Sequence, residues 1–138
     1  MGQFIGDIDL RVIPGDPKNW LVPHEFDYVC DSGEIIHVQQ GLITDLASTP
    51  RIIWWVYPPF GLYTGAAIVH DKLYTDQPWG TSDIARKKSD LILLEAMKVE
   101  QVSKITRGTI YSQVRMWGWV AWNQHTKDNK KAQKKEAA

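Results

Sequence analysis

The sequence is poor in the features that usually reveal a protein's class. It has a single cysteine, Cys30, among 138 residues, which excludes an internal disulfide and argues against a small secreted disulfide-linked scaffold. Its formal net charge is zero, so no overall field directs it to nucleic acid or to a membrane. No apolar run approaches the length of a membrane span, and residues 1–9 lack a signal-peptide pattern. These absences predict a soluble protein made in the cytoplasm.

Several well-known catalytic and metal-binding motifs are also absent. The chain has no glycine-rich phosphate loop, no G-x-S-x-G turn around a nucleophilic serine and no context for a nucleophilic cysteine. Apart from His70, its histidines are His24, His37 and His125. No two of them have metal-ligand spacing on one element, so a zinc site made of histidines is not predicted.

The order of patterns along the chain predicts an α+β fold. Short alternating segments in the first half are typical of antiparallel strands, and residues 26–30 and 34–39 flank Asp31-Ser32-Gly33 as a hairpin with Gly33 at a position that needs positive φ. The second half predicts three helices, which begin near Thr64, Asp83 and Lys104. Strands followed by helices favour α+β over a doubly wound sheet.

The third predicted helix extends from about Lys104 to Asn123. Its apolar residues recur with helical spacing, so we expect one face to be buried and Gly118 to permit a close helix crossing. The buried face consists of Ile110, Val114, Trp117 and Ala121. Arg107, Gln113 and Lys127 are expected to stay in solvent.

The polar C-terminal segment is expected to be a tail. We predict a single globular domain over 1–125 and a lysine-rich tail over 126–138, with fraying from His125 onward. From Lys127 the chain has five lysines against Asp128 and Glu136. This basic tail is the only signal for an anionic partner, and the oligomeric state is not predicted.

An adjacent histidine and aspartate in an apolar helix form the most informative feature. His70 and Asp71 lie within residues 65–74, and Tyr74 follows His70 by one helical turn on the same face. Unpaired polar groups in such a helix would cost about 1–3 kcal/mol each. Two interpretations stay open: a hydrogen-bonded structural pair, and a reactive site.

Asp90, on the second predicted helix, is the expected partner of His70. One interpretation pairs Asp90 with Arg86, four residues earlier, or exposes it beside Lys87. The other has Asp90 accept a hydrogen bond from His70 across two helices joined by a short turn. A histidine oriented by a buried aspartate is a general-base arrangement.

Asp45 and Arg51 are further candidate site residues. Asp45 fits the N-cap of a following helical turn, a structural role, but it also fits a position near His70. Arg51 fits an anion-binding role or an ion pair with Asp45. The prolines around this segment predict a compact return of the chain towards the His70 helix.

The chain resembles an uncharacterised family of small phage and prophage proteins. The resemblance rests on TDLASTPR (44–51), on the prolines, glycine and tyrosine of PPFGLY (58–63), on AAIVHDKLY (66–74) and on Ser89-Asp90, and it spans roughly residues 9–122. It implies a phage origin and brings no known activity.

A second, local resemblance carries a mechanism. His70-Asp71-x-x-Tyr74 with Asp90 on the next helix is similar to the two-helix site of secreted calcium-dependent phospholipases and of the lipase domain in parvovirus capsids. The resemblance covers about residues 65–97. It implies that His70 is the catalytic base, that Tyr74 and Asp90 hold it, and that Asp71 binds calcium. The glycine-rich calcium loop of that family has no counterpart in recognisable form.

Two classes of function follow from these observations. The first is a phage hydrolase with a His70–Asp90 dyad, calcium at Asp71 and membrane lipid as substrate. The second is a non-catalytic phage protein, either a tail or head accessory subunit or a host-interaction protein, whose partners are other phage proteins. Both place the chain in the host cytoplasm or the virion. Exposure of Trp54, Trp55, Trp79 and Trp122 would favour the second class.

Overall fold

The computed structural model describes residues 2–44 and 63–137, and within them strands precede helices. The strands are β1 (Gln3–Gly6), β2 (Arg11–Ile13), β3 (Asp16–Leu21), β4 (Phe26–Val29), β5 (Ile35–Val38) and β6 (Ile43–Thr44). They form two antiparallel three-stranded sheets, with the orders β1-β4-β5 and β2-β3-β6. The predicted α+β class is confirmed.

The predicted hairpin is present as β4 and β5. Phe26 pairs with Val38 and Val29 with Ile35, and Gly33 in the turn has φ +93°, as expected. Strand β1 was not predicted, because its alternation is weak and it pairs with β4 rather than with a neighbour in sequence. Its position therefore depends on a long-range contact.

Four helices follow in the described residues. They are α1 (Thr64–Asp76), α2 (Asp83–Val99), α3 (Lys104–Trp117) and α4 (Trp119–Ala137). Ser82 and Ser103 cap α2 and α3, accepting from the amides of Ala85 and Thr106. Among the described residues, no helix combines the length and the apolar character needed to cross a membrane.

Helix α1 is the central element of the core. It packs against α2, α4 and β5 and is buried on nearly all sides, from Gly65 to Tyr74 with the exception of Lys72. The Glu100 carboxylate caps its N-terminus, accepting from the amides of Gly65 at 3.1 Å and Ala66 at 2.7 Å. His70 and Asp71 are consequently core residues.

The expectation of three helices is wrong in one respect, because the third predicted helix is divided at Gly118. The guanidinium of Arg86 on α2 donates to the carbonyls of Val114 and Arg115, each at 3.3 Å. Those are carbonyls of the last turn of α3, and the arginine satisfies acceptors at the end of the helix. The Val114 carbonyl also accepts from the backbone N–H of Gly118. Helix α4 then starts at Trp119.

The division at Gly118 also changes which tryptophan is buried. Ile110 and Val114 are fully buried, as predicted, but Trp117 is 52% exposed and the 3% exposed residue is Trp122. Trp122 packs edge-on against Tyr74, with ring centroids 5.0 Å apart. Its indole N–H donates to the carbonyl of Thr81. The predicted buried position of Trp117 is therefore wrong.

The other solvent predictions have mixed outcomes. Lys127 is exposed, whereas Arg107 and Gln113 are half-buried and Ala121 is only partly buried. Arg107 donates to the carbonyl of Val102 at 3.1 Å, which holds its side chain against the protein. These partial burials follow from contacts between helices, which the spacing along α3 does not show.

Helix α4 continues through the segment that was expected to fray. Gln77 at the end of α1 donates to the Trp122 carbonyl and to Thr126, and Asn129 donates to the Thr75 carbonyl at 2.9 Å. These contacts anchor the first half of α4 on α1. The second half is fully exposed, and its lysine, alanine, glutamine and glutamate residues favour helix. The division of the chain at residue 125 stays a prediction.

Trp122→Ala should lower the free energy of unfolding by about 3–5 kcal/mol, because it removes a buried indole and a hydrogen bond. Trp117→Ala is the matched control, with an expected change within about 0.5 kcal/mol since that ring is half in solvent. Urea unfolding followed by circular dichroism measures both. Equal losses would contradict the assignment of Trp122 as the core tryptophan.

Candidate functional site

His70 and Asp90 form a buried pair between α1 and α2. His70 Nε2 lies 2.7 Å from Asp90 Oδ1, and both side chains are fully buried. The six-residue connection 77–82 brings the two helices side by side. The predicted contact is confirmed, and the catalytic role of the pair stays a prediction.

Tyr74 completes the arrangement on the same face of α1. Its hydroxyl donates to Asp90 Oδ1 at 2.7 Å, and its ring centroid lies 4.3 Å from that of His70. Burial, followed by the negative charge of Asp90, raises the pKa of Tyr74 well above its usual value. The phenol therefore stays protonated and acts as a donor.

Two arginines occupy the other oxygen of Asp90. Oδ2 accepts from Arg115 Nη1 of α3 at 2.7 Å and from Arg86 Nη1 at 3.4 Å. The two interpretations of Asp90 are therefore both realised, since it binds His70 and Arg86 at once. Arg115 was missed, because 25 residues separate it from Asp90 and no local spacing links the two.

Hydrogen bonding keeps Asp90 ionised. Burial by itself disfavours the charged form, but the hydrogen bonds from His70, Tyr74 and Arg115 outweigh it and hold the pKa of Asp90 below its usual range. An ionised Asp90 is only an acceptor, so Nε2 of His70 is the donor. In the neutral ring, Nδ1 then carries the lone pair.

The formal charges around the pair are balanced. Asp83, whose side chain is 75% exposed, lies 3.4 Å from Arg86 Nε and 3.8 Å from Arg115 Nη2. Two arginines thus face two aspartates. Their formal charges cancel, so the carboxylate of Asp90 is buried in a cluster with no net charge. Asp83 completes this balance from the solvent side.

Gly118 allows the chain to pass directly over the cluster. A Cβ atom built on Gly118 would lie 2.6 Å from the Tyr74 hydroxyl and 3.2 Å from Arg86 Nη1. Only a residue without a side chain fits that approach. The predicted close crossing at Gly118 is confirmed, and the residue proves to be part of the site's wall.

Asp71 lies on another side of α1, where Thr44 at the end of β6 donates to its Oδ2. Its carboxylate is buried, and carboxylate oxygens suit calcium. Calcium takes six to eight oxygens, however, and the described residues contain no cluster of three histidine, cysteine, aspartate or glutamate side chains that fits a metal. They do not by themselves form a calcium site, so no chemical step is assigned to the ion.

The remaining candidates do not join this cluster in the described residues. Asp45 and Arg51, like Trp54 and Trp55, lie outside the described residues. His37 is exposed and lies 2.6 Å from Asp27 on the neighbouring strand. Trp79 is partly buried, so neither it nor Trp122 provides the exposed aromatic surface that was considered.

The chain belongs to a family described as Protein of unknown function (DUF1353), whose sequence profile matches residues 20–114. That range includes His70, Asp71, Tyr74 and Asp90, and it ends before Arg115 and α4. No curated protein and no solved structure matches the chain significantly. The function must therefore be inferred from the site itself.

Asp90→Asn should lower the free energy of unfolding at neutral pH by about 3–5 kcal/mol, because it leaves buried guanidinium groups without their counter-charge. The matched control is Asp83→Asn, which touches the same arginines from solvent and should change stability by less than about 1 kcal/mol. Chemical denaturation measures both.

The same pair of variants tests the pH dependence. Since the folded-state pKa of Asp90 is lowered, its stabilisation is complete above the unfolded-state value near 4 and is lost as the pH falls through the folded-state pKa. Below about pH 4 the wild type should lose stability more steeply than Asp90→Asn. Parallel acid profiles would contradict an ionised Asp90.

Gly118→Ala should lower the free energy of unfolding by roughly 1–3 kcal/mol, because the methyl group collides with the Val114 carbonyl oxygen and the Tyr74 hydroxyl. Gly108→Ala on α3 is the control, since its Cβ would meet nothing within 4 Å. It should stabilise the protein by about 0.5–1 kcal/mol through helix propensity. In thermal unfolding, we expect the melting temperature of Gly118→Ala to fall below that of the wild type and the melting temperature of Gly108→Ala to rise above it.

Proposed function

We propose that this member of the DUF1353 family is a phage or prophage hydrolase that uses His70 as a general base on a phospholipid ester. The observation that carries the proposal is the double hydrogen bond to Asp90 Oδ1, from His70 Nε2 and from Tyr74. In the neutral ring, a donor at Nε2 places the lone pair on His70 Nδ1. A general base needs that state.

The proposed reaction is an attack by water on the ester carbonyl. His70 Nδ1 takes a proton as the water oxygen bonds to the carbonyl carbon. The same proton passes to the departing alkoxide when the carbon–oxygen bond breaks. Ionised Asp90 stabilises the imidazolium formed between these steps. Tyr74 and the arginines hold Asp90 in place, so they are positioning residues.

Two observations support the phospholipid class of substrate. The sequence places His70, Asp71, Tyr74 and Asp90 as in the secreted calcium-dependent phospholipases, and the side chains of His70, Tyr74 and Asp90 meet at hydrogen-bond distance. Asp71, next to His70 in sequence, provides one buried carboxylate of the type that binds calcium. Calcium dependence is part of the proposal and needs its own test.

A second candidate function is that of a non-catalytic phage subunit, in the virion or at a host partner. The observation that favours it is saturation of the cluster: His70 is fully buried, and Asp90 accepts from four side chains of three helices. Such a polar network can serve to hold α1, α2 and α3 together.

His70→Gln separates the two candidates. The glutamine amide keeps a donor that can reach Asp90 but has no basic nitrogen. Release of fatty acid from mixed phospholipid vesicles should fall at least about 100-fold, while the unfolding free energy changes little. Absence of release by the wild type, with and without calcium, would overturn the hydrolase and leave the structural network.

Asp71→Asn tests the calcium proposal without turnover. If the ion binds the folded wild type, added calcium should raise the melting temperature, and the variant should lose that shift. His70→Gln is the matched control and should keep it, because His70 is not a proposed ligand. An unchanged wild-type melting temperature would remove calcium from the proposal.

A further inference from the structure

An exposed apolar group surrounds the division between α3 and α4. Met116, Trp117, Trp119 and Val120 are each between 51% and 57% exposed, and only Gly118 between them is buried. We call these four residues the apolar junction. Four exposed large apolar side chains within five residues are more than the scattered exposure that is normal for a surface.

A row of lysines continues from the apolar junction along α4. Lys127, Lys130, Lys131 and Lys134 are all exposed, and we call them the lysine row. At 100° per residue they share one side of the helix with Trp119 and Val120. Trp119, Val120, Lys127 and Lys130 line a single shallow depression, so the two groups form one continuous surface.

Most of this surface lies on a different side of α4 from the contacts that anchor the helix. Those contacts come from Trp122, Thr126 and Asn129, which by their spacing lie on the adjoining side. The acidic residues of α4, Asp128 and Glu136, lie off the lysine row by the same spacing. This face therefore combines four lysines with tryptophan and aliphatic side chains.

We propose that the apolar junction and the lysine row dock this protein on an anionic phospholipid surface. Lysines attract the lipid phosphates, while tryptophan and aliphatic side chains enter the boundary between headgroups and acyl chains. The surface lies beyond residues 20–114, which match the family. It is thus a feature of this chain outside the matched range.

Two other occupants fit the chemistry less well. Base-edge recognition favours arginine, and α4 has five lysines and no arginine. Single-stranded nucleic acid would pair its phosphates with the lysines and stack bases on Trp117 and Trp119, but it would leave the aliphatic side chains of Met116 and Val120 in water. A symmetric contact with a second copy would bring two lysine rows of like charge together. An anionic bilayer uses both halves of the surface.

Docking there is connected to the proposed catalytic site through one short segment. Arg115 bonds Asp90 at 2.7 Å and directly precedes the apolar junction, and Gly118 within it lies against Tyr74. The inference deepens the proposed function, since it names the surface from which the lipid would be drawn. Binding itself does not require the hydrolase to be active.

The experiment measures flotation of the full chain with vesicles of ether-linked phospholipids, which contain no ester to hydrolyse. We expect binding when phosphatidylglycerol is mixed with phosphatidylcholine, little binding to phosphatidylcholine alone, and loss of binding as salt shortens the electrostatic range. Equal binding to both vesicles, or to neither, would overturn the proposal.

Charge-reversal variants test the lysine row. Lys127→Glu with Lys131→Glu and Lys134→Glu should weaken partitioning at least about tenfold, since each lysine near such a surface contributes roughly fivefold. The control carries the same charge change on exposed lysines elsewhere: Lys87→Glu, Lys98→Glu and Lys104→Glu. If the control variant loses partitioning equally, the effect comes from the net charge of the protein, and the proposal of a localised docking surface is overturned.

Polar substitutions test the apolar junction. Trp119→Ser with Val120→Ser should lower partitioning by about tenfold or more, whereas Ile84→Ser with Ile105→Ser, both more than three-quarters exposed in the wild type, should not. Preferential binding of single-stranded nucleic acid in competition, or a wild-type dimer that Trp119→Ser dissociates, would assign the surface to another occupant.

The outcomes for docking and for hydrolysis are distinguishable. Release of fatty acid from dispersed short-chain substrate without flotation would retain the hydrolase and overturn the docking surface. Flotation on ether lipid without release from ester lipid would retain the docking surface and overturn the hydrolase.

Discussion

The buried carboxylate of Asp90 is the constraint on which the arrangement of the helices depends. An ionised carboxylate with no exposure to water is tolerated only when its oxygens are fully hydrogen-bonded. Its donors come from α1, α2 and α3: His70, Tyr74, Arg86 and Arg115. Because Asp90 lies on α2 with Arg86, the donors of α1 and α3 must come to it at hydrogen-bond distance, and this one side chain constrains how both helices pack against α2.

The path of the chain after α3 follows from the same cluster. Arg86 reaches past Asp90 to the carbonyls of Val114 and Arg115, and the Val114 carbonyl also accepts from the backbone N–H of Gly118 at the end of α3. Gly118 then passes against Tyr74, and α4 begins in a register that buries Trp122. The break directs Met116, Trp117, Trp119 and Val120 to solvent. The exposed surface of the molecule is thus partly a consequence of its buried polar network.

The hydrogen-bond network around Asp90 suits both a catalytic role for His70 and a structural role in holding the helices together, because both roles need the same contacts. A histidine base requires a fixed tautomer, and an ionised acceptor at Nε2 supplies it. A buried polar cluster requires complete pairing, and the same acceptor provides that as well. The catalytic function additionally requires that water and substrate reach His70 Nδ1, whereas the structural function does not. That access depends on motion of the protein and on the substrate, and the hydrogen bonds of the network do not determine it.

The sequence by itself determined the local features: the α+β order, the hairpin at Gly33, and His70 with Tyr74 on one helical face. It also led to the His70–Asp90 contact, because a short connection places neighbouring helices side by side. Only the tertiary structure decided that Arg115 is the closest partner of Asp90 Oδ2, that the third predicted helix ends at Trp117, that α4 continues to Ala137, and that Trp122 rather than Trp117 is buried. These features depend on contacts between residues that are distant in the chain. Hydrophobic spacing within a helix shows which side chains share a face, but it does not show which side chains of another helix will contact that face.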